Sequence, residues 1–111
     1  MAMYPDLRGK VAIVTGSGRR RGLGEAMARR LASEGCRVVL SDIGSARGKE
    51  IPAHAIGSQS EMQRIVDEMR AEGGDAIGLT CDVLEEVQVE ALVGQTVAHY
   101  GRLDIMVNNA G

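Results

Sequence analysis

Apolar residues in this 111-residue chain fall into short unbroken runs, separated by stretches with helical spacing. The runs Val11–Thr15, Arg37–Ser41, Ala76–Thr80 and Leu103–Asn108 predict strands, and continuous apolarity is what a parallel strand buried on both faces requires. Between the first two, Leu23, Met27 and Leu31 recur at four-residue steps, predicting a helix over Leu23–Glu34 that stops at Gly35. Met62, Ile65, Val66 and Met69 share one face of a second helix, Ser60–Glu72, opened by the capping-box pair Ser58 and Glu61 and ended by Gly73-Gly74. A third helix, Glu85–Tyr100, is expected to turn Val87, Ala91 and Val97 inward and to end at Gly101. This alternation predicts an α/β fold in one domain: a doubly wound parallel sheet ordered third, second, first, fourth, with right-handed crossovers. The segment Gly44–Gly57 breaks the rhythm with a proline and no period, and reads as a long loop beside the end of the second strand.

The chemistry concentrates in Lys10–Gly35. A buried strand runs into the loop Gly16-Ser17-Gly18-Arg19-Arg20-Arg21-Gly22-Leu23-Gly24 and then into a helix. Glycines let backbone approach a phosphate closely, and the helix turns its free N–H groups and positive dipole end toward the anion. Asp42 ends the next strand, about twenty residues on, where a carboxylate can accept from both hydroxyls of an adenosine ribose. Strand, glycine loop, helix, strand and acid, in that order, point to a dinucleotide site.

Composition narrows the partners. A net charge of −2 with interspersed signs gives no nucleic-acid footprint, and Arg19-Arg20-Arg21 sits inside the loop, not across a face. Cys36 and Cys81 stand apart, without metal-ligand or redox spacing, and read as small apolar fillers; His54 and His99 are likewise isolated. No run has the length of a signal-peptide core or a membrane span, so the expectation is a cytoplasmic protein with no membrane partner.

With these residues laid out, the chain resembles the N-terminal, cofactor-binding half of the short-chain dehydrogenase/reductase family. The resemblance rests on Gly9–Gly16, on the cluster Gly18, Gly22, Leu23 and Gly24, and on Ser41-Asp42-Ile43. Cys81-Asp82-Val83 and Leu103–Gly111, which ends in Asn108-Asn109-Ala110-Gly111, complete it. It implies a Rossmann-type sheet, truncated here after the fourth strand. It also implies a hydride-transferring oxidoreductase that acts on a small alcohol or ketone and works as a homo-oligomer in its full-length form. By resemblance, the loop residues Gly16, Gly18, Arg21, Gly22, Leu23 and Gly24 bind the cofactor, and Asp42 meets its ribose. Asp82 with the Val83 backbone meets the adenine edge, and Asn108, Ala110 and Gly111 line the path to the nicotinamide ribose. Structural roles stand open beside these: a strand-to-helix turn for the glycines, a helix cap for Asp82, a sheet brace for Asn108 and Asn109. The alternative from another class is a stand-alone nucleotide-binding module, or an inactive gene fragment, without hydride chemistry.

Two departures from the family pattern matter. Five residues, not three, separate Gly16 from Gly22; Gly18 restores the spacing, so either glycine can take the first role. The long segment after Asp42 resembles an insertion found in carveol-dehydrogenase-like members. The cofactor expected is NAD, with NADP disfavoured by the Asp42 charge, although Arg21 stands where NADP-using members often carry a basic residue. The family's serine and its Tyr-x-x-x-Lys pair have no counterpart: Arg8 and Asp104 stand four residues after Tyr4 and Tyr100. No catalytic residue carries over. The expectation is a fragment of a longer enzyme, inactive alone, with its fourth strand left as an open edge.

Overall fold

In the computed structural model the described residues are 4–43 and 59–109, with no side-chain description for 59 and 60. A 3-10 turn, Pro5–Leu7, leads into β1 (Val11–Thr15), α1 (Leu23–Ser33), β2 (Arg37–Asp42), α2 (Gln59–Ala71), β3 (Asp75–Thr80), α3 (Glu86–Tyr100) and β4 (Ile105–Val107). The strands form one parallel sheet in the order β3-β2-β1-β4, the expected arrangement. Boundaries shift by a residue or two. The largest change is β4, three residues long instead of six: Asp104 turns its carboxylate onto the Val11 N–H at 2.9 Å, and a side chain thereby occupies a bond that a longer ladder would use.

The central strands are apolar because both faces are covered. Ile13 and Val39 pack with Cys81 and Leu92 under α3, whereas Val14, Val38 and Leu40 meet Ala28, Ile65 and Val66 under α1 and α2. Both cysteines are free and buried, as fillers, and burial pushes each thiol's pKa up. The α2 face is the expected one, with Met62, Ile65, Val66 and Met69 buried. Gly73, at φ +94°, takes the left-handed turn that closes the helix, and the Gly74 N–H bonds the Met69 carbonyl at 2.9 Å. Ser58, half of the anticipated capping box, and the loop 44–57 lie outside the described residues.

The four-residue spacing of α1 left its buried face open, whereas the face expected for α3 needs correction. In α1 the buried positions are Gly24 and Ala28, with Met27 and Leu31 on the flank and Leu23 exposed, because small residues let this helix sit close to the strands. In α3 the inward residues are Leu92 and Thr96, flanked by Val89 and Val93, while Val87 and Val97 are exposed. Valines and alanines lie nearly all round this helix, so spacing alone admitted two faces. Leu92, the only leucine within the helix, and the Thr96 hydroxyl, which donates to the Leu92 carbonyl at 2.8 Å, belong to the face that packs. Leu92→Ala should therefore lower the unfolding free energy of the full-length protein by about 2–5 kcal/mol in a denaturant titration. A loss below about 0.5 kcal/mol would place Leu92 on the solvent side.

Candidate functional site

The glycine loop leaves β1 at its carboxyl end and is knitted to β2 by backbone and hydroxyl bonds. The Ser17 N–H donates to the Ser41 carbonyl at 3.0 Å, and the Ser41 N–H returns a bond to Ser17 Oγ at 3.1 Å. Ser17 Oγ also donates to the Val14 carbonyl at 2.6 Å. One residue on, the Gly18 N–H donates to Asp42 Oδ2 at 3.0 Å, while Asp42 Oδ1 accepts from the Ile43 N–H at 2.8 Å. Loop and acid thus meet at the carboxyl edge of the sheet, where open α/β sheets bind ligands. Each Asp42 oxygen retains a lone pair for a further donor.

The glycine roles, open from spacing alone, separate here. Gly16 makes the turn at φ +69°. Gly24 is the close-packing residue: a Cβ there would collide with the Gly16 carbonyl and lie 2.8 Å from the Cα of Ser17. Gly22 is the N-cap of α1. Gly18 turns no corner; its missing side chain makes room for Asp42 and α2, since a Cβ would stand 2.8 Å from Asp42 Cβ and 3.0 Å from Met62 Cβ. The extra loop length is taken up at Arg19–Arg21, where Arg21 is the one described non-glycine residue at positive φ (+63°). Its N–H is received by Glu25 Oε1 at 2.7 Å.

The far side of the site is braced by Asn109. Its amide Nδ2 donates to the Gly16 carbonyl at 3.2 Å, and its N–H to Thr15 Oγ1 at 3.1 Å. Asn108 is exposed, and Ala110 and Gly111 lie outside the described residues. Asp82 caps a turn before α3, accepting the Leu84 N–H at 3.0 Å, and Val83 is half-buried beside it.

Sequence reasoning missed Ser17, whose only signal was a hydroxyl between two glycines, and the acids of α2. Glu61 Oε2 accepts the Arg20 N–H at 2.7 Å, and both Glu68 oxygens receive the Arg20 guanidinium fork, Nη1–Oε1 at 3.2 Å. Arg29 joins Glu68 at 2.7 Å, Glu72 at 2.9 Å and Glu25 at 3.0 Å. Hydrogen bonds from Arg20 and then Arg29 hold the Glu68 carboxyl below its ordinary range.

A short chain dehydrogenase family profile matches residues 10–111. The chain belongs to the short-chain dehydrogenase family. It is 42% identical over 105 residues to a probable tetrahydroxynaphthalene reductase of Zymoseptoria tritici, covering 95% of this chain and 34% of that protein. The crystal structure of a short chain dehydrogenase from Mycobacterium smegmatis superposes with a TM-score of 0.80 at 34% identity, over 100% of this chain and 40% of the other. A metagenomic short-chain oxidoreductase in complex with NADP gives 0.73 at 36% identity, over 94% and 40%. The chain spans about a third of the length of the curated relatives it matches. No helix of the described residues is long and apolar enough to cross a membrane.

Two outcomes follow. Helix propensity alone favours alanine over glycine by about 1 kcal/mol, yet Gly24→Ala should destabilise by about 1–3 kcal/mol, because the colliding atom is backbone and cannot step aside. Thermal melts of the full-length protein decide this, and an unchanged or raised Tm would contradict the packing. The second concerns Glu68, whose folded pKa is depressed: its contribution is present above the ordinary glutamate value of about 4.3 and is lost as pH falls through the lowered folded value. Glu68→Gln should therefore flatten the acid limb of the stability profile, and parallel profiles would contradict the pairing.

Proposed function

We propose that the full-length protein is an NAD-dependent dehydrogenase or reductase that moves a hydride between the nicotinamide ring and the alcohol or carbonyl carbon of a small molecule. The observation that carries this reading is the Asp42 carboxylate, poised at the carboxyl end of β2 and holding the Gly18 N–H at 3.0 Å. The residues present fit a dinucleotide. Gly16 turns the loop, Gly18 and Gly24 let it pack against Asp42 and against its own turn without side chains, and Gly22 caps α1, so the loop backbone passes over the N-terminus of that helix. In this reading the pyrophosphate lies along Gly16–Gly24 and takes the first-turn N–H groups of α1 at Leu23 and Gly24, with Arg21 beside it, and Asp42 accepts from the ribose hydroxyls. Asp82 with Val83 orients the adenine, and Asn108, Ala110 and Gly111 border the path to the nicotinamide. The nicotinamide, when bound, supplies the hydride chemistry.

The matching proton step needs an acid or base at the substrate oxygen, and neither tyrosine of this chain suits it. Tyr100 ends α3 and donates its hydroxyl to Asp75 at 2.8 Å, at the start of β3 and the edge opposite the glycine loop. Burial and that bond push its pKa well above the ordinary phenol value. The reading places proton transfer and substrate choice in the remainder of the full-length enzyme, a cytoplasmic homo-oligomer.

Cofactor preference follows from two opposed charges. A 2′-phosphate beside Asp42 would meet a half-buried carboxylate, whereas Arg21 is exposed, and solvent-screened pairs give only about 0–1 kcal/mol. An acid that accepts from both ribose hydroxyls gains with NAD while it rejects NADP. NAD should bind at least about tenfold tighter than NADP, equivalent to about 1.4 kcal/mol. Titration of the full-length protein with both cofactors measures it, and Asp42→Ala should erase most of the difference. Equal or tighter NADP binding by the unmutated protein would show that the arginines outweigh Asp42.

A further inference from the structure

We propose that Glu68 on α2 is a specificity-determining positioning residue, which withholds the Arg20 guanidinium from a 2′-phosphate. The inference rests on the reading of Asp42 as the ribose ligand.

Three arginines in a phosphate loop would ordinarily invite the phosphorylated cofactor, since a guanidinium fork matches phosphate oxygens in pairs. Arg20 is spent elsewhere. Its backbone N–H is fixed on Glu61 at 2.7 Å, and its side chain runs along α2 to grip both oxygens of Glu68. Glu61 adjoins Met62, the residue packed against Gly18 where Gly18 holds Asp42. Glu68 stands seven residues further along the helix, a rise of about 10 Å. The bond to Glu68 therefore carries the guanidinium about two turns away from the carboxylate that meets the ribose.

The grip is held from behind. Glu68 is shared with Arg29 at 2.7 Å, and Arg29 is itself fixed by Glu25 and Glu72. Arg29 thereby sets the rotamer in which both Glu68 oxygens remain available to Arg20. The lengthened loop, bent at Arg21, delivers Arg20 to this clamp. A released Arg20 would pivot about a backbone that lies two residues from Gly18, within the surroundings of Asp42.

Calorimetric titration of the full-length protein with NAD and with NADP tests the assignment in Glu68→Gln, Arg20→Gln and the double variant. Glu68→Gln, a conservative change on a half-exposed side chain, should tighten NADP at least about threefold and leave NAD within about twofold, on the scale of a solvent-screened pair. The gain should vanish in the double variant. An unchanged NADP-to-NAD ratio in Glu68→Gln, equal weakening of both cofactors, or a gain that survives in the double variant would each overturn the role of Glu68. A preference for NADP in the unmutated protein would overturn the Asp42 reading, whatever Glu68 does.

Discussion

The bonds that stitch the glycine loop to the end of β2 set the position of everything else at the site. Ser17, two residues past Thr15, bonds back to Ser41 and so continues the link between β1 and β2 into the loop, and Gly18 then reaches the Asp42 carboxylate. The stitch needs Gly18 to lack a side chain, because Asp42 and Met62 already occupy the space. It needs Gly16 at positive φ to start the turn, and Gly24 to bring α1 down onto that turn. Each glycine thus answers a different steric demand of a single loop path. That path brings the helix N-terminus and the acid to one edge of the sheet.

The electrostatics follow from the same geometry. A helix N-terminus and three consecutive arginines suggest a strongly positive loop, yet four glutamates, Glu25, Glu61, Glu68 and Glu72, face Arg20, Arg21 or Arg29. Arg20 and Arg29 are consumed in this network, which ties the loop to α2 as well as to β2. The loop is anchored on two sides, and that anchoring fixes the N-terminus of α1 beside Asp42, so little order has to be gained there on binding.

Much of this was legible in the linear pattern, for identifiable reasons. The four strands and the sheet order were readable because continuous apolar runs joined by helices admit few parallel topologies, and Val11–Val14 and Val38–Leu40 are fully buried as their composition implies. The α2 face was readable because its apolar residues occupy one stripe only. The α3 face was not, because Val87, Ala91 and Val97 compete on equal terms with Val89, Leu92 and Val93 until the sheet is in place. At the site, the glycines and Asp42 were visible as a motif, whereas the division of labour between Gly16 and Gly18 needed backbone angles. Glu61 read only as a helix-capping residue and Glu68 carried no signal, since their partner Arg20 lies more than forty residues away.

Asp42, held against the glycine loop, is the group proposed to meet the adenosine ribose. A crystal structure of the full-length protein with bound NAD tests this most directly. Both ribose hydroxyls should lie within hydrogen-bond distance of the Asp42 carboxylate, with the Gly18 N–H still bonded to it and the pyrophosphate over the N-terminus of α1. A ribose turned away from Asp42, or a pyrophosphate seated elsewhere than the Gly16–Gly24 loop, would contradict it.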